Sequence, residues 1–284
     1  MTGFDAGSAG MYERHWQLRR PAFRSDVPSE FFFSGRSHQA ALLKLRYLVE
    51  QRPGLAVISG GAGTGKSYLL EAFREQLSEP AGPIVTVLYP QLSPAELLGY
   101  VTSKLKPGDD SAVHDDLRLD VILRRLETHL AELHQQGRRP VLMIDDAQLI
   151  DDQRVWQTLL LLLNFHRSDQ AQLSIVLAGP PELLGRLKRY GALLDRLELT
   201  CVLQPLAESE TAAYVRHRLQ AAGAATAVFD GAALAAVHQF SGGLPRRINR
   251  LCDFALLVGY AENLGEITAT QIEAVAEELL PVAA

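Results

Sequence analysis

Apolar residues follow two kinds of pattern along this chain, and the change from one to the other divides it. Up to about residue 204, short unbroken apolar runs alternate with stretches of helical spacing, and from Pro205 onward only the helical spacing remains. Leu55–Ser59, Pro83–Tyr89, Val141–Ile144, Leu173–Gly179 and Leu197–Leu203 are the runs. Continuous rather than alternating apolarity is what a strand buried on both faces of a parallel sheet requires. Between the runs, Ala41, Leu42, Leu45, Leu48 and Val49 recur at helical spacing from Ser37 to Gln51, stopped by Arg52-Pro53-Gly54. Further helices are expected over Tyr68–Gln76, from a Ser93-Pro94-Ala95-Glu96 start to Leu105, over Asp116–Gln136 and over Trp156–Phe165. The leucine run 159–163 is too short to span a bilayer and reads as a buried core helix. Lys106-Pro107-Gly108-Asp109-Asp110-Ser111 is loop by composition.

Strands alternating with helices imply βαβ crossovers. The expected fold is therefore α/β: a five-stranded, mostly parallel sheet followed by a small all-α domain of helices Glu208–Ala222, Asp230–Phe240, Pro245–Glu262 and Thr268–Leu279. Gly223, Gly242-Gly243 and Gly265 punctuate those helices. Residues 1–34, with Trp16, Phe23 and Phe31-Phe32-Phe33 as aromatic anchors, are expected to pack on the core; 35–204 form the core and 205–284 the helical lid.

One stretch converts this pattern into chemistry. Gly60-Gly61-Ala62-Gly63-Thr64-Gly65-Lys66-Ser67 fits G-x-x-x-x-G-K-[ST], follows the first strand and opens a helix beginning near Tyr68. Such a P-loop turns backbone N–H groups toward phosphates, places a lysine charge at the β- and γ-phosphates, and offers a hydroxyl to Mg²⁺. The third strand runs directly into Asp145-Asp146, about 80 residues on, in the form of a Walker B motif. Asp145 is expected to hold Mg²⁺ opposite Ser67, and Asp146 to orient the attacking water. ATP and Mg²⁺ are thus the expected ligands. Gly35, Arg36 and His38, at the start of the helical segment that leads into the first strand, are candidates near adenine, with a solvated turn as the competing reading.

Composition adds limits. Hydrophobic content of 47% and charged content of 21% suit a globular protein. The net charge of −5 argues against a surface built wholly for nucleic acid, so DNA binding is possible but not favoured. Cys201 and Cys252 have no metal or CxxC spacing and read as buried free thiols. The first ten residues carry no signal-like pattern, and no apolar run reaches the ~20 residues of a membrane span, so a cytoplasmic protein with no span of its own is expected.

The P-loop, the Walker B strand, Arg196 just before the fifth strand and Gly243-Leu244-Pro245-Arg246 in the lid together resemble the AAA+ ATPases. More narrowly, the chain resembles the general secretion pathway protein A (ExeA-type) ATPases. That likeness is carried by Met11-Tyr12 with Trp16 and Phe23, Asp145-Asp146-Ala147-Gln148, Leu163-Asn164-Phe165, Leu177-Ala178-Gly179 with Pro181-Glu182-Leu183, Thr211 to Leu219, and Phe240 to Asn249. The resemblance implies that Arg246 is a sensor-2 arginine reaching the γ-phosphate. It also implies that Arg196 is an arginine finger acting on ATP held by a neighbouring subunit, the competing reading for Arg196 being a surface salt bridge. It further implies an ATP-dependent homo-oligomer working with membrane-associated secretion or pilus components at the inner membrane.

Three departures qualify it. Asp146 stands where the family usually has Glu, one methylene shorter, so its carboxylate starts about 1.5 Å further from the water, and ~1 Å of misplacement can cost on the order of 10²-fold in rate. Pro180 replaces a strand-4 Gln and brings no polar side chain. Family members often continue into a membrane span and a peptidoglycan-binding domain, whereas this sequence stops at Ala284, so envelope contact is expected through partners. Slow hydrolysis follows from the first two. The leading expectation is an assembly ATPase of a secretion, pilus or polysaccharide-export system. The alternatives are a DNA transposition or targeting regulator of the TnsC/TniB kind and a scaffold that binds ATP without consuming it.

Overall fold

In a computed structural model of the chain, the residues described are 10, 12–24, 29–51, 54–77, 81–106, 118–164 and 173–279. The expected loop at 107–111, the helix start at Asp116, the helix stop at 52–53, Met11 and Phe165 lie outside them. The chain divides into two compact units, one of residues 36–62 and 66–203, the other of residues 1–35, 63–65 and 204–284.

The first unit is a parallel sheet of five strands, β1 (Leu55–Gly60), β2 (Ala81–Val87), β3 (Arg139–Ile144), β4 (Ser174–Gly179) and β5 (Leu197–Leu203), in the order β2-β3-β4-β1-β5. All six residues of β1 and all six of β4 are buried, which is why their sequences show no alternation. Around the sheet pack α1 (Arg36–Gln51), α2 (Lys66–Gln76), α3 (Pro94–Leu105), α4 (Leu119–Gln135) and α5 (Gln153–Asn164). Two short helices, α6 (Glu182–Leu187) and α7 (Gly191–Leu194), were not foreseen, being shorter than the window in which periodicity can be read. The expected start of α3 is present in full: Ser93 Oγ accepts from the Glu96 N–H while the Glu96 carboxylate accepts from the Ser93 N–H.

Two expectations shift. The second strand runs from Ala81 to Val87 and carries Pro83 inside it, which is tolerated because β2 is an edge strand; Leu88 and Tyr89, expected within the strand, lie beyond it and are exposed. The leucine run is an amphipathic helix rather than an all-round apolar one, with Leu159, Leu162 and Leu163 buried and Leu161 62% exposed. No helix among the described residues is long and apolar enough to cross a membrane.

The second unit is built on α8 (Glu208–Ala221), α9 (Gly231–Ser241), α10 (Pro245–Ala261) and α11 (Ala269–Leu279), within one residue at each end of the expected helices. The N-terminal aromatics belong here. Trp16, Phe23 and Phe31, expected on the P-loop core, are buried among these helices: Trp16 Nε1 donates to the Leu256 carbonyl at 2.9 Å, and the Phe23 and Phe229 rings meet edge to face. The reason is geometric complementarity that the sequence hides, since Gly259 on α10 leaves the space that the Trp16 ring occupies.

Arg218 ties the segment down. Its guanidinium is buried, donating through Nε to the Ala22 carbonyl at 2.7 Å and through Nη2 to the Arg24 carbonyl at 2.6 Å, with its charge over the Phe31 and Tyr214 rings.

Candidate functional site

Sheet register sets the site. β1 pairs with β4 so that Ser59 faces Gly179, and β3 pairs with β4 so that Ile144 faces Leu177. The acids Asp145 and Asp146 follow directly on Ile144, at the same C-terminal edge from which the P-loop leaves β1. β4 alone separates β3 from β1. Parallel strands lie about 4.8 Å apart, so the acid pair and the loop stand roughly 10 Å apart across the strand ends. The carboxyl edge of a parallel sheet is where such folds hold ligands.

Lys66 opens α2, and its Nζ donates to the Gly60 carbonyl at 2.8 Å and the Gly61 carbonyl at 3.1 Å, folding the ammonium back over the loop. Ser67 and Tyr68 follow in the first turn, and the N-terminal N–H groups of α2 give the loop the polarity an anion needs. Thr64, within the loop, is buried. The charge of Lys66, the N–H groups and the Ser67 hydroxyl fit a Mg²⁺-polyphosphate. They are the groups that would hold its phosphates and metal.

Asp145 is only 9% exposed, and its N–H extends the β2–β3 ladder by donating to the Val87 carbonyl at 3.2 Å. Its Oδ1 accepts from the Asp146 N–H at 2.9 Å. Asp146 is exposed and sits in left-handed backbone at φ 47°, ψ 41°, a conformation that short polar side chains tolerate best. The turn Ala147–Leu149 follows, and Gln148 Nε2 donates to Asp146 Oδ1 at 3.0 Å. Gln148 was legible only as part of a motif; its contact with Asp146 is what marks it. Arg186, which no sequence signal pointed to, donates to the backbone carbonyls of Gln148 and Ile150, the latter at 2.9 Å.

Arg196 stands between α7 and β5, half-buried. Its Nη2 donates to Asn164 Oδ1 at 3.0 Å, a neutral partner at the end of α5, and its carbonyl accepts the Leu55 N–H at 3.2 Å. His38 is buried on α1. Pro180, one residue past β4, leaves that position without a polar side chain.

In the helical unit, which includes the loop tip 63–65, Gly63 has φ +79°, and a Cβ there would lie 2.9 Å from Arg246 Cβ. The Arg246 N–H donates to the Gly63 carbonyl at 3.3 Å, and the Arg246 side chain is exposed. What puts Arg246 there is the turn before it. Gly242 ends α9 in left-handed backbone; Gly243, at φ +70°, approaches Leu206 so closely that a Cβ would fall 2.1 Å from its carbonyl oxygen; and Pro245 starts α10.

Comparison with known proteins agrees with this geometry. Residues 49–187 match the model of the AAA domain family. General secretion pathway protein A of Aeromonas hydrophila is 31% identical over 271 residues, covering 95% of this chain and 48% of that protein. The chain thus spans about half the length of the relative it matches. Among solved structures, Drosophila ORC bound to DNA superposes with a TM-score of 0.69 at 18% identity, covering 100% of this chain and 69% of that one. The Aeropyrum pernix ORC2 protein, in ADPNP-ADP complexes, superposes with a TM-score of 0.68 at 15% identity, covering 91% of this chain and 71% of that one. At those identities the likeness is one of fold.

Proposed function

We propose, from the match of residues 49–187 to the AAA domain family and the 31% identity to general secretion pathway protein A, that the chain binds ATP with Mg²⁺, hydrolyses it slowly, and uses the nucleotide state to control assembly of a secretion, pilus or polysaccharide-export machine. The observation that carries this is the shared strand edge: P-loop on β1 and acid pair on β3, one strand apart. Lys66 and the loop N–H groups hold the phosphates, and Ser67 and Asp145 hold the metal. As the water oxygen bonds to the γ-phosphorus and the bridging oxygen leaves with its electron pair, Asp146 takes the water's proton. Arg246 stabilises charge on the γ-phosphate, as the sensor-2 resemblance implies.

Arg196 completes the site of a neighbouring subunit, which makes hydrolysis depend on assembly into an ATP-dependent homo-oligomer. We place the protein in the cytoplasm, at the inner membrane through its partners. The test is size-exclusion chromatography with ADP or ATP, alongside phosphate release as a function of protein concentration. Larger species with ATP and a specific activity that rises with concentration support the proposal. A monomer whose specific activity is constant contradicts it.

DNA targeting is a second reading, favoured by the fold likeness to an ORC bound to DNA. A gel shift with duplex DNA and ATP decides it, since binding through phosphates weakens steeply between about 50 and 200 mM salt.

A further inference from the structure

Gln148 holds a position that its sequence neighbours do not explain. Its Nε2 donates to Asp146 Oδ1 at 3.0 Å, and a carboxylate accepts only, so the amide nitrogen faces it and the oxygen faces away. That oxygen, Oε1, is enclosed and has no hydrogen-bond partner among the described residues. It lies over Gly179, where a Cβ would come within 2.8 Å of it, and Gly179 is the end of β4, paired with Ser59 of the P-loop strand. The turn that carries the side chain is fixed from behind by Arg186, which donates to the carbonyls of Gln148 and Ile150. An enclosed acceptor left without a partner costs about 1–3 kcal/mol.

We infer that Gln148 is a positioning residue for hydrolysis: it fixes the Asp146 carboxylate by one end and presents its amide oxygen at the strand edge where Pro180 supplies no polar group. This deepens the ATPase reading and rests on it. Asp146 is a short acid on exposed, left-handed backbone. The Gln148 bond selects one of its rotamers.

The test uses the full chain with Mg²⁺-ATP and a fluorescent ADP. Gln148→Leu is expected to lower kcat by at least about tenfold, on the order of 10²-fold at most, while the Kd for the fluorescent ADP stays within about twofold and the melting temperature holds. Gln148→Glu, which keeps the length of the side chain but sets two carboxylates side by side, is expected to lower kcat as Gln148→Leu does. A readout free of turnover is the Gln148 side-chain amide signal in a ¹⁵N–¹H spectrum, identified by its loss in Gln148→Leu and expected to move in Asp146→Ala. Gln148→Leu or Gln148→Glu with wild-type kcat, or an unmoved amide signal, overturns the inference alone. Absence of any wild-type phosphate release overturns the ATPase reading together with it.

Discussion

The main-chain N–H of Asp146 donates to Oδ1 of Asp145 at 2.9 Å, so the expected metal ligand also fixes the backbone of the expected base. Asp146 pays for that arrangement with left-handed backbone, which a short acid adopts more readily than Glu. Replacing it separates reach from strain. Asp146→Glu carries the carboxylate about 1.5 Å further out and is expected to raise phosphate release about tenfold or more, while costing about 1 kcal/mol of stability. Asp146→Asn, with the same backbone tolerance and no base, is expected to lower release while keeping nucleotide binding. Phosphate-release assays and thermal melts on the two variants check both. Asp146→Glu slower than wild type contradicts the account of reach.

Arg218 tests how firmly residues 12–24 belong to the helical unit. Arg218→Met keeps much of the buried volume but strips the donors from the Ala22 and Arg24 carbonyls. A loss of about 2–4 kcal/mol in urea denaturation is expected, with faster proteolytic cleavage in the N-terminal segment. Unchanged stability means the bonds contribute nothing.

Tyr12 gives the helical unit an alkaline limit. Burial, and then its hydrogen bond to Asp253, push the phenol well above its usual value near 10. The folded chain therefore keeps a proton that the unfolded chain releases, so this contribution is full below about pH 10 and is lost as pH rises beyond it. Tyr12→Phe is expected to flatten the decline of stability between about pH 10 and 11 in urea titrations. A slope equal to wild type contradicts it.

The two cysteines are predicted to be silent. Burial raises both thiols, Cys252 well above its usual value. Ellman's reagent at pH 8 is expected to label neither in the folded chain and both in guanidinium. Prompt labelling of the folded chain contradicts their burial.

The sheet was legible because strands buried on both faces leave unbroken apolar runs, and the lid because its glycines and capping residues fall at helix ends. The Gly60–Ser67 loop was legible as a strand-to-helix turn because its glycines supply the positive φ that Gly63 and Gly65 adopt. Three things were not. Strand β2 begins two residues earlier than its apolar run, since an edge strand admits Pro83 where a central one would not. The N-terminal aromatics pack on the helices because of a space at Gly259, a long-range fit that periodicity does not encode. Gln148 and Arg186 act through a three-residue turn and two backbone carbonyls, neither of which leaves a spacing pattern.

The central claim, that Gly60–Ser67 and Asp145–Asp146 form one slow ATP-hydrolysing site, is tested most directly by phosphate release at saturating Mg²⁺-ATP with binding of a fluorescent ATP analogue in parallel. The wild-type chain is predicted to bind the analogue saturably and to turn over at or below about one per second, the low end of enzyme rates. Lys66→Ala is predicted to lose both. Binding by Lys66→Ala as tight as wild type, or no wild-type binding at millimolar nucleotide, would contradict the account.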